Sequence, residues 1–296
     1  MNYNNLTKLL PILLFLSCGG NGDGERRDVA EKAEAVLVDA VILDYNIRVE
    51  NIPLIGPQTE LLTLTISEHG VKYEGKAEIQ VADELKEVKR ASFLDFRDGS
   101  LAVLDYKDSS YLLSFLDTVK TDENDSLREM EMSGEDYAIQ LVPTEEVQTI
   151  MDFNDCHQIN LKPVDFVDKQ GISSDSVPVL KGHMWLKSGF ASDELIGNYY
   201  SILAKYYDNP GFEGLEIWRV FKKLGVPRRA ISGILRDLEA LIIEGDFVCR
   251  MYSLGKKANV SIKLTLTDIM EDKVPATLFQ IPAEFKPAFG KEALKQ

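Results

Sequence analysis

The sequence predicts an α+β fold, in which one curved antiparallel sheet is covered by helices from residues 192–243. Three observations predict it. Apolar and polar residues alternate with period two over much of 36–117, the mark of strands with one buried face. Between 192 and 243 the apolar spacing changes to that of helices, and after 245 it returns to alternation. Strands, then helices, then strands imply an α+β arrangement around a single sheet.

Residues 1–17 read as a secretory leader. Lys8 is their only charge, and Leu9 to Leu16 is apolar, broken only by Pro11. A bilayer-spanning helix needs about 20 apolar residues, so this run fits the apolar region of a signal peptide. Phe15-Leu16-Ser17-Cys18 then resembles a bacterial lipobox, with Phe15 where that pattern prefers Leu. The resemblance implies lipid attachment at Cys18, cleavage before it, and acylation (palmitate or a similar chain) of the new amino terminus. Several acyl chains on one residue anchor a protein stably. Residues 18–29 then form the lipidated cysteine and a flexible Gly-rich tether. The predicted location is the bacterial cell envelope, at the outer membrane in a Gram-negative organism. The membrane is thus the first expected partner.

The 296 residues, less leader and tether, suit one elaborated domain over 30–287, with a polar tail at 288–296. A hydrophobic content of 45% is enough for a packed core. The formal charge is −15, or −16 without Lys8, which argues against nucleic acid as a partner and against docking on anionic headgroups. There are three cysteines. With Cys18 lipidated, Cys156 and Cys249 remain, either as a disulfide or as two buried thiols.

The elements follow in order. From Val41 to Val49 the odd positions are apolar or aromatic, and Leu62, Leu64 and Ile66 alternate with Thr63, Thr65 and Ser67. His69-Gly70 supplies a turn before Val71 and Tyr73. The run from Ser92 to Leu116 is a meander. Asp98-Gly99 signals a type I′ hairpin, and Lys107-Asp108-Ser109 marks the next turn. Residues 118–136 are acidic and read as a surface loop with a short helix, and 158–167 and 177–187 as strands. Ser192 is placed to N-cap a helix carrying Leu195, Ile196, Tyr199, Tyr200, Leu203, Tyr206 and Tyr207, stopped by Asn209-Pro210-Gly211. A second helix carries Ile217, Trp218, Phe221 and Leu224. A third begins near Pro227, carries Ile231, Ile234, Leu235, Leu238, Leu241 and Ile242, and ends at Gly245. This block forms either a lid or a separate insertion. Phe247 to Tyr252 and Val260 to Leu266 return to strand.

Chemistry-bearing patterns are scarce. The sequence holds no G-x-S-x-G, H-E-x-x-H, phosphate-binding loop or C-x-x-C. Its three histidines are His69, His157 and His183. Cys156 and His157 are adjacent on a strand and point to opposite faces, so they cannot cooperate locally. The acidic run over 118–136 lacks the spacing of a calcium loop. No enzyme activity and no cofactor or metal are expected; a hydrolase is the third choice of function. Residues 215–253 scan like a helix-turn-helix with a wing, with basic Lys222, Lys223, Arg228, Arg229 and Arg236, but the leader and the net charge both oppose DNA binding. The aromatic helix face either packs on the sheet as core or lines an apolar cavity. The candidate lining residues are Trp185, Tyr199, Tyr200, Leu203, Trp218 and Phe221.

Four segments carry a family resemblance: LDFRDGSLAVLDYKDSSYLL, TIMDFNDCHQINL (Thr149 to Leu161), HMWLKS and PATLFQIPAEFK (Pro275 to Lys286). Together they resemble the Lol-type lipoprotein-carrier fold, an open β half-barrel with helices across its mouth, and more closely an uncharacterised bacterial family sharing that fold. The chain departs from the pattern in its acidic 118–136 loop and its long 192–243 stretch. The resemblance implies non-catalytic binding of an apolar ligand, an acyl chain or a partner lipoprotein. The alternative is a scaffold or interaction lipoprotein with a solid core.

Overall fold

The computed structural model describes residues 36–53, 56–81, 84–115, 137–164, 178–207, 216–253 and 256–288. The chain divides into two units, Met1–Glu34 and Ala35–Gln296, and all described residues belong to the second. The leader, Cys18, the tether, the acidic 118–136 segment, the Asn209-Pro210-Gly211 stop and residues 289–296 of the polar tail lie outside the described residues.

The strands are β1 (Leu37–Glu50), β2 (Gln58–Ser67), β3 (Gly70–Val81), β4 (Glu84–Asp95), β5 (Ser100–Asp105), β6 (Ser110–Phe115), β7 (Ala138–Ile150), β8 (Phe153–Val164), β9 (Val179–Lys187), β10 (Leu241–Ser253), β11 (Lys256–Pro275) and β12 (Lys286–Pro287). They form one sheet in the order β12-β6-β5-β4-β3-β2-β1-β11-β10-β9-β8-β7. From β1 to β6 and from β7 to β11 each strand pairs antiparallel with its sequence neighbour. The two runs are joined by β1 against β11, Leu37 opposite Pro275 through Glu50 opposite Ser261.

The structure overturns the α+β expectation. The fold is largely β, with three short helices among the described residues: α1 (Asp193–Tyr207), α2 (Glu216–Lys223) and α3 (Arg228–Asp237). Residues 192–243 are not a helical cover over a half-barrel, because the last part of that block is strand. Leu241 and Ile242 extend the 3.6-residue stripe of α3 on paper. In space they pair with Lys187 and Leu186 of β9, and Tyr45 Oη donates to the Ile242 carbonyl at 3.1 Å. A short run of Leu and Ile satisfies both periodicities, and the open hydrogen-bonding edge of β9 decides for strand. Gly245 is an interior residue of β10, not a helix stop.

Two local expectations also change. The β4–β5 connection is four residues long, Phe96 to Gly99, and only Gly99 among them has positive φ, at 65°. A type I′ turn needs two such residues. Instead the Gly99 N–H closes on the Asp95 carbonyl at 3.0 Å, and the Asp98 carboxylate accepts from the Ser100 N–H at 2.9 Å. Ser192 does not cap α1 with its side chain. Its Oγ is buried without a hydrogen-bond partner, while its N–H donates to Glu271 Oε1 at 2.9 Å.

The core follows from the alternation. Val41, Leu43, Tyr45, Ile47 and Val49 of β1, Leu62, Leu64 and Ile66 of β2, and Val71 and Tyr73 of β3 are all buried. They belong to one cluster with Ile196, Tyr199, Leu203, Trp218, Phe221, Ile231 and Ile234 of the helices. Among the described residues the other sheet face is covered only locally. Ala91, Phe93, Ala102 and Leu104 are buried against Tyr111, Ile281 and Phe285, and Val38 and Ala40 against Val274 and Phe279. The chain after β11 therefore runs back as a strap through a 3-10 turn (Ala276–Phe279) and ends as β12, parallel to β6. This double burial explains the unbroken apolar run Leu101–Leu104 of β5 and the adjacent Phe93-Leu94 at the end of β4.

Candidate functional site

Opposite residues in an antiparallel pair share a face. The buried face therefore carries Ile47 beside Glu60 and Ala77, and in the next row Tyr45 beside Leu62, Gly75 and Arg90. Glu60 thus projects into the apolar interior, and its side chain is only 9% exposed. A buried carboxylate is costly unless it is paired and hydrogen-bonded. Here both needs are met. Arg219 of α2 donates through Nη2 to Oε1 at 2.7 Å and to Oε2 at 2.8 Å, and Tyr73 Oη donates to Oε1 at 2.7 Å. The same Arg219 nitrogen donates to Tyr73 Oη at 2.9 Å, and its guanidinium lies 5.5 Å from the Tyr73 ring centroid, a cation–π distance.

Gly75 makes this possible. A Cβ there would come within 2.6 Å of Glu60 Oε1 and 3.1 Å of Tyr73 Oη. The missing side chain leaves the recess that the carboxylate occupies.

Arg90 is the second cation. Its Nη1 lies 3.7 Å from Glu60 Oε2, too far for a hydrogen bond, and its side chain is 28% exposed. Burial and, after it, the nearby Arg219 guanidinium hold its pKa below the usual arginine value.

A cavity of about 210 Å³ opens against this cluster. Its apolar wall is Ile47, Val49, Ile52, Ala77, Val220 and Leu224, and Gln58, Thr59, Glu60, Arg90, Arg219 and Lys223 supply the polar groups. Leu224 leads into the turn that ends α2, where Gly225 takes φ 78°. A second depression of about 460 Å³ also touches Arg90, and its lining includes the polar residues Asp44, Thr63, Glu74, Lys76 and Lys89 beside Tyr45, Leu61 and Leu62.

The lining residues expected from the sequence sit elsewhere. Trp185, Tyr199, Tyr200, Leu203, Trp218 and Phe221 are all buried in the main core, and none of them lines either cavity. The Tyr199 and Tyr200 rings meet tilted, and Phe221 meets Trp218 and Phe247 edge-on. Cys156 and Cys249 are both free thiols and both buried. They lie on β8 and β10, with β9 between them. Cys249 is opposite Leu180 on β9, whereas His157, next to Cys156, is opposite Leu186. The two thiols are therefore also offset by about seven residues along the strands, roughly 20 Å or more apart and beyond the reach of a disulfide. Burial raises the pKa of both, that of Cys249 to about 12. His157 is exposed beside buried Cys156, on the opposite strand face. His183 meets the Trp185 ring edge-on.

Glu60, Arg90 and Arg219 carry the site, and sequence reasoning passed over all three. The signal was available in part. Glu60 occupies the buried phase of β2, two residues before Leu62, and Arg90 the buried phase of β4, two before Ser92 and four before Leu94.

No protein-family model matches this chain, and no curated protein matches it, so the resemblance to the Lol-type carriers has no family match behind it. Among solved structures, a porin-like protein from Bacteroides uniformis ATCC 8492 is similar over 78% of this chain and 96% of that chain, with 11% identity and a TM-score of 0.21. A likeness at that level carries no argument about fold or function.

Proposed function

We propose that this is a lipid-anchored protein of the bacterial envelope that binds the apolar segment of a small ligand, without catalysis, in the cavity between β1–β4 and α2. The observation that carries this reading is the aliphatic wall of Ile47, Val49, Ile52, Val220 and Leu224 beside a fixed polar cluster. Ligand sites combine an apolar lining with a few placed polar groups in this way. Ligand pockets usually span about 300–1,000 Å³, so this one suits a short chain or one end of a longer amphiphile. The anchor rests on the lipobox-like Phe15-Leu16-Ser17-Cys18.

The experiment is native mass spectrometry and lipid extraction of the full chain carrying Cys18→Ser, with and without Val220→Trp. A small amphiphile should copurify and should be lost when Trp fills the cavity. Its absence from both proteins refutes ligand binding. Cys18→Ser should also move the protein to the soluble fraction, and continued membrane association would refute the lipid anchor.

The solid aromatic core favours a second reading, an interaction lipoprotein without a ligand. Under that reading, no amphiphile copurifies and Val220→Trp changes nothing but stability.

A further inference from the structure

The cavity's charge is opposite to that of the whole chain. The protein carries a formal charge of −15, yet three of the four charged side chains lining the cavity are cations, Arg90, Arg219 and Lys223, against one anion, Glu60. At physiological ionic strength charges are screened over about 8 Å, so a ligand head inside the cavity responds to these groups and not to the distant acidic surface.

The two arginines are not equivalent. Arg219 donates through Nη2 to both Glu60 oxygens and to Tyr73 Oη, which meets the pairing that a buried carboxylate requires. Arg90 adds a second guanidinium that folding does not need for this purpose. It is partly desolvated beside a like charge, both unfavourable, and its one ion pair among the described residues is the 3.7 Å approach to Glu60. An arginine presents five N–H donors in a planar fork that matches an oxyanion.

We infer that the cavity selects an anionic amphiphile, with Arg90 receiving a carboxylate-type oxyanion head while the apolar segment lies along Ile47, Val49 and Val220. This rests on the proposed ligand-binding reading and names the class of ligand.

The test uses the full chain carrying Cys18→Ser, stripped of bound lipid and titrated with decanoate, decanol and decyltrimethylammonium below their aggregation limits. Decanoate should bind at least tenfold more tightly than decanol, and the cation more weakly than either. Arg90→Gln should bring decanoate to within about threefold of decanol, while Arg90→Lys, which keeps the charge, should retain most of the preference. Equal binding of decanoate and decanol by the unsubstituted site overturns the anion preference and leaves the cavity reading standing. A preference that survives Arg90→Gln in a folded protein overturns the role of Arg90. Binding of none of the three overturns the cavity reading itself. Should Arg90→Gln fail to fold, the decanoate-to-decanol ratio of the unsubstituted site and of Arg90→Lys still decides the matter.

Discussion

Helix α2 has two sides, and they meet different surroundings. Ile217, Trp218 and Phe221 enter a core filled with side chains, where Phe221 touches Trp218 and Phe247. Arg219, Val220 and Lys223, on the same two turns, border an unfilled cavity. One side consists of apolar surface removed from water; the other holds a buried ion pair whose Coulombic gain is offset by desolvation. Stability should therefore come from the filled side and selectivity from the other.

Four measurements break or sharpen that contrast. Trp218→Ala should cost about 4 kcal/mol in urea unfolding, as large-to-small core changes do. A loss below about 1 kcal/mol would mean that the filled side is not filled. On the other side, Glu60→Gln should cost about 3 kcal/mol because it strands a buried guanidinium, whereas the pair Glu60→Leu with Arg219→Leu should cost less than Glu60→Leu alone. Additive losses would show that the ion pair is not a unit.

Cys249 lies in the filled core, where burial pushes its thiol up to about 12. A raised thiol pKa contributes stability that is present below the unfolded value, near 9, and is lost as pH climbs towards 12. At pH 10.5 the native protein should have lost about 2 kcal/mol that Cys249→Ala does not lose, and neither Cys156 nor Cys249 should react with a thiol reagent at pH 8. Ready labelling of the folded protein would contradict their burial. Gly75→Ala should cost about 1–2 kcal/mol by crowding the Glu60 carboxylate, visible as a lower thermal midpoint with the fold intact. No change would show that the recess is roomier than the geometry implies.

How much of this the sequence discloses depends on the residue. The strand phases of β1, β2 and β3 are legible because one face is buried and the period is two. The α2 stripe is legible as core for the same reason at period 3.6. The end of α3 is not legible, since Leu241-Ile242-Ile243 fits helix and strand alike and only pairing with β9 decides. The ion-pair cluster is legible only as an anomaly. Glu60 breaks an apolar phase, but its partners are 13 and 159 positions away and nothing local names them. The candidate lining residues are legible only as buried, because aromatic side chains at helical spacing read alike whether they pack against neighbours or border a void.

The strand order also bears on how the molecule folds. Hairpin pairing is local within β1–β6 and within β7–β11, apart from the helices inserted between β9 and β10. The junction of β1 with β11 joins residues such as Leu37 and Pro275, from opposite ends of the described chain. Non-local pairing must meet its loop-closure entropy before its contacts can repay it. Refolding should therefore assemble two meanders quickly and zip them together late. Substitutions at the β1–β11 seam should then slow the last phase of refolding while leaving the hairpins' early formation unchanged.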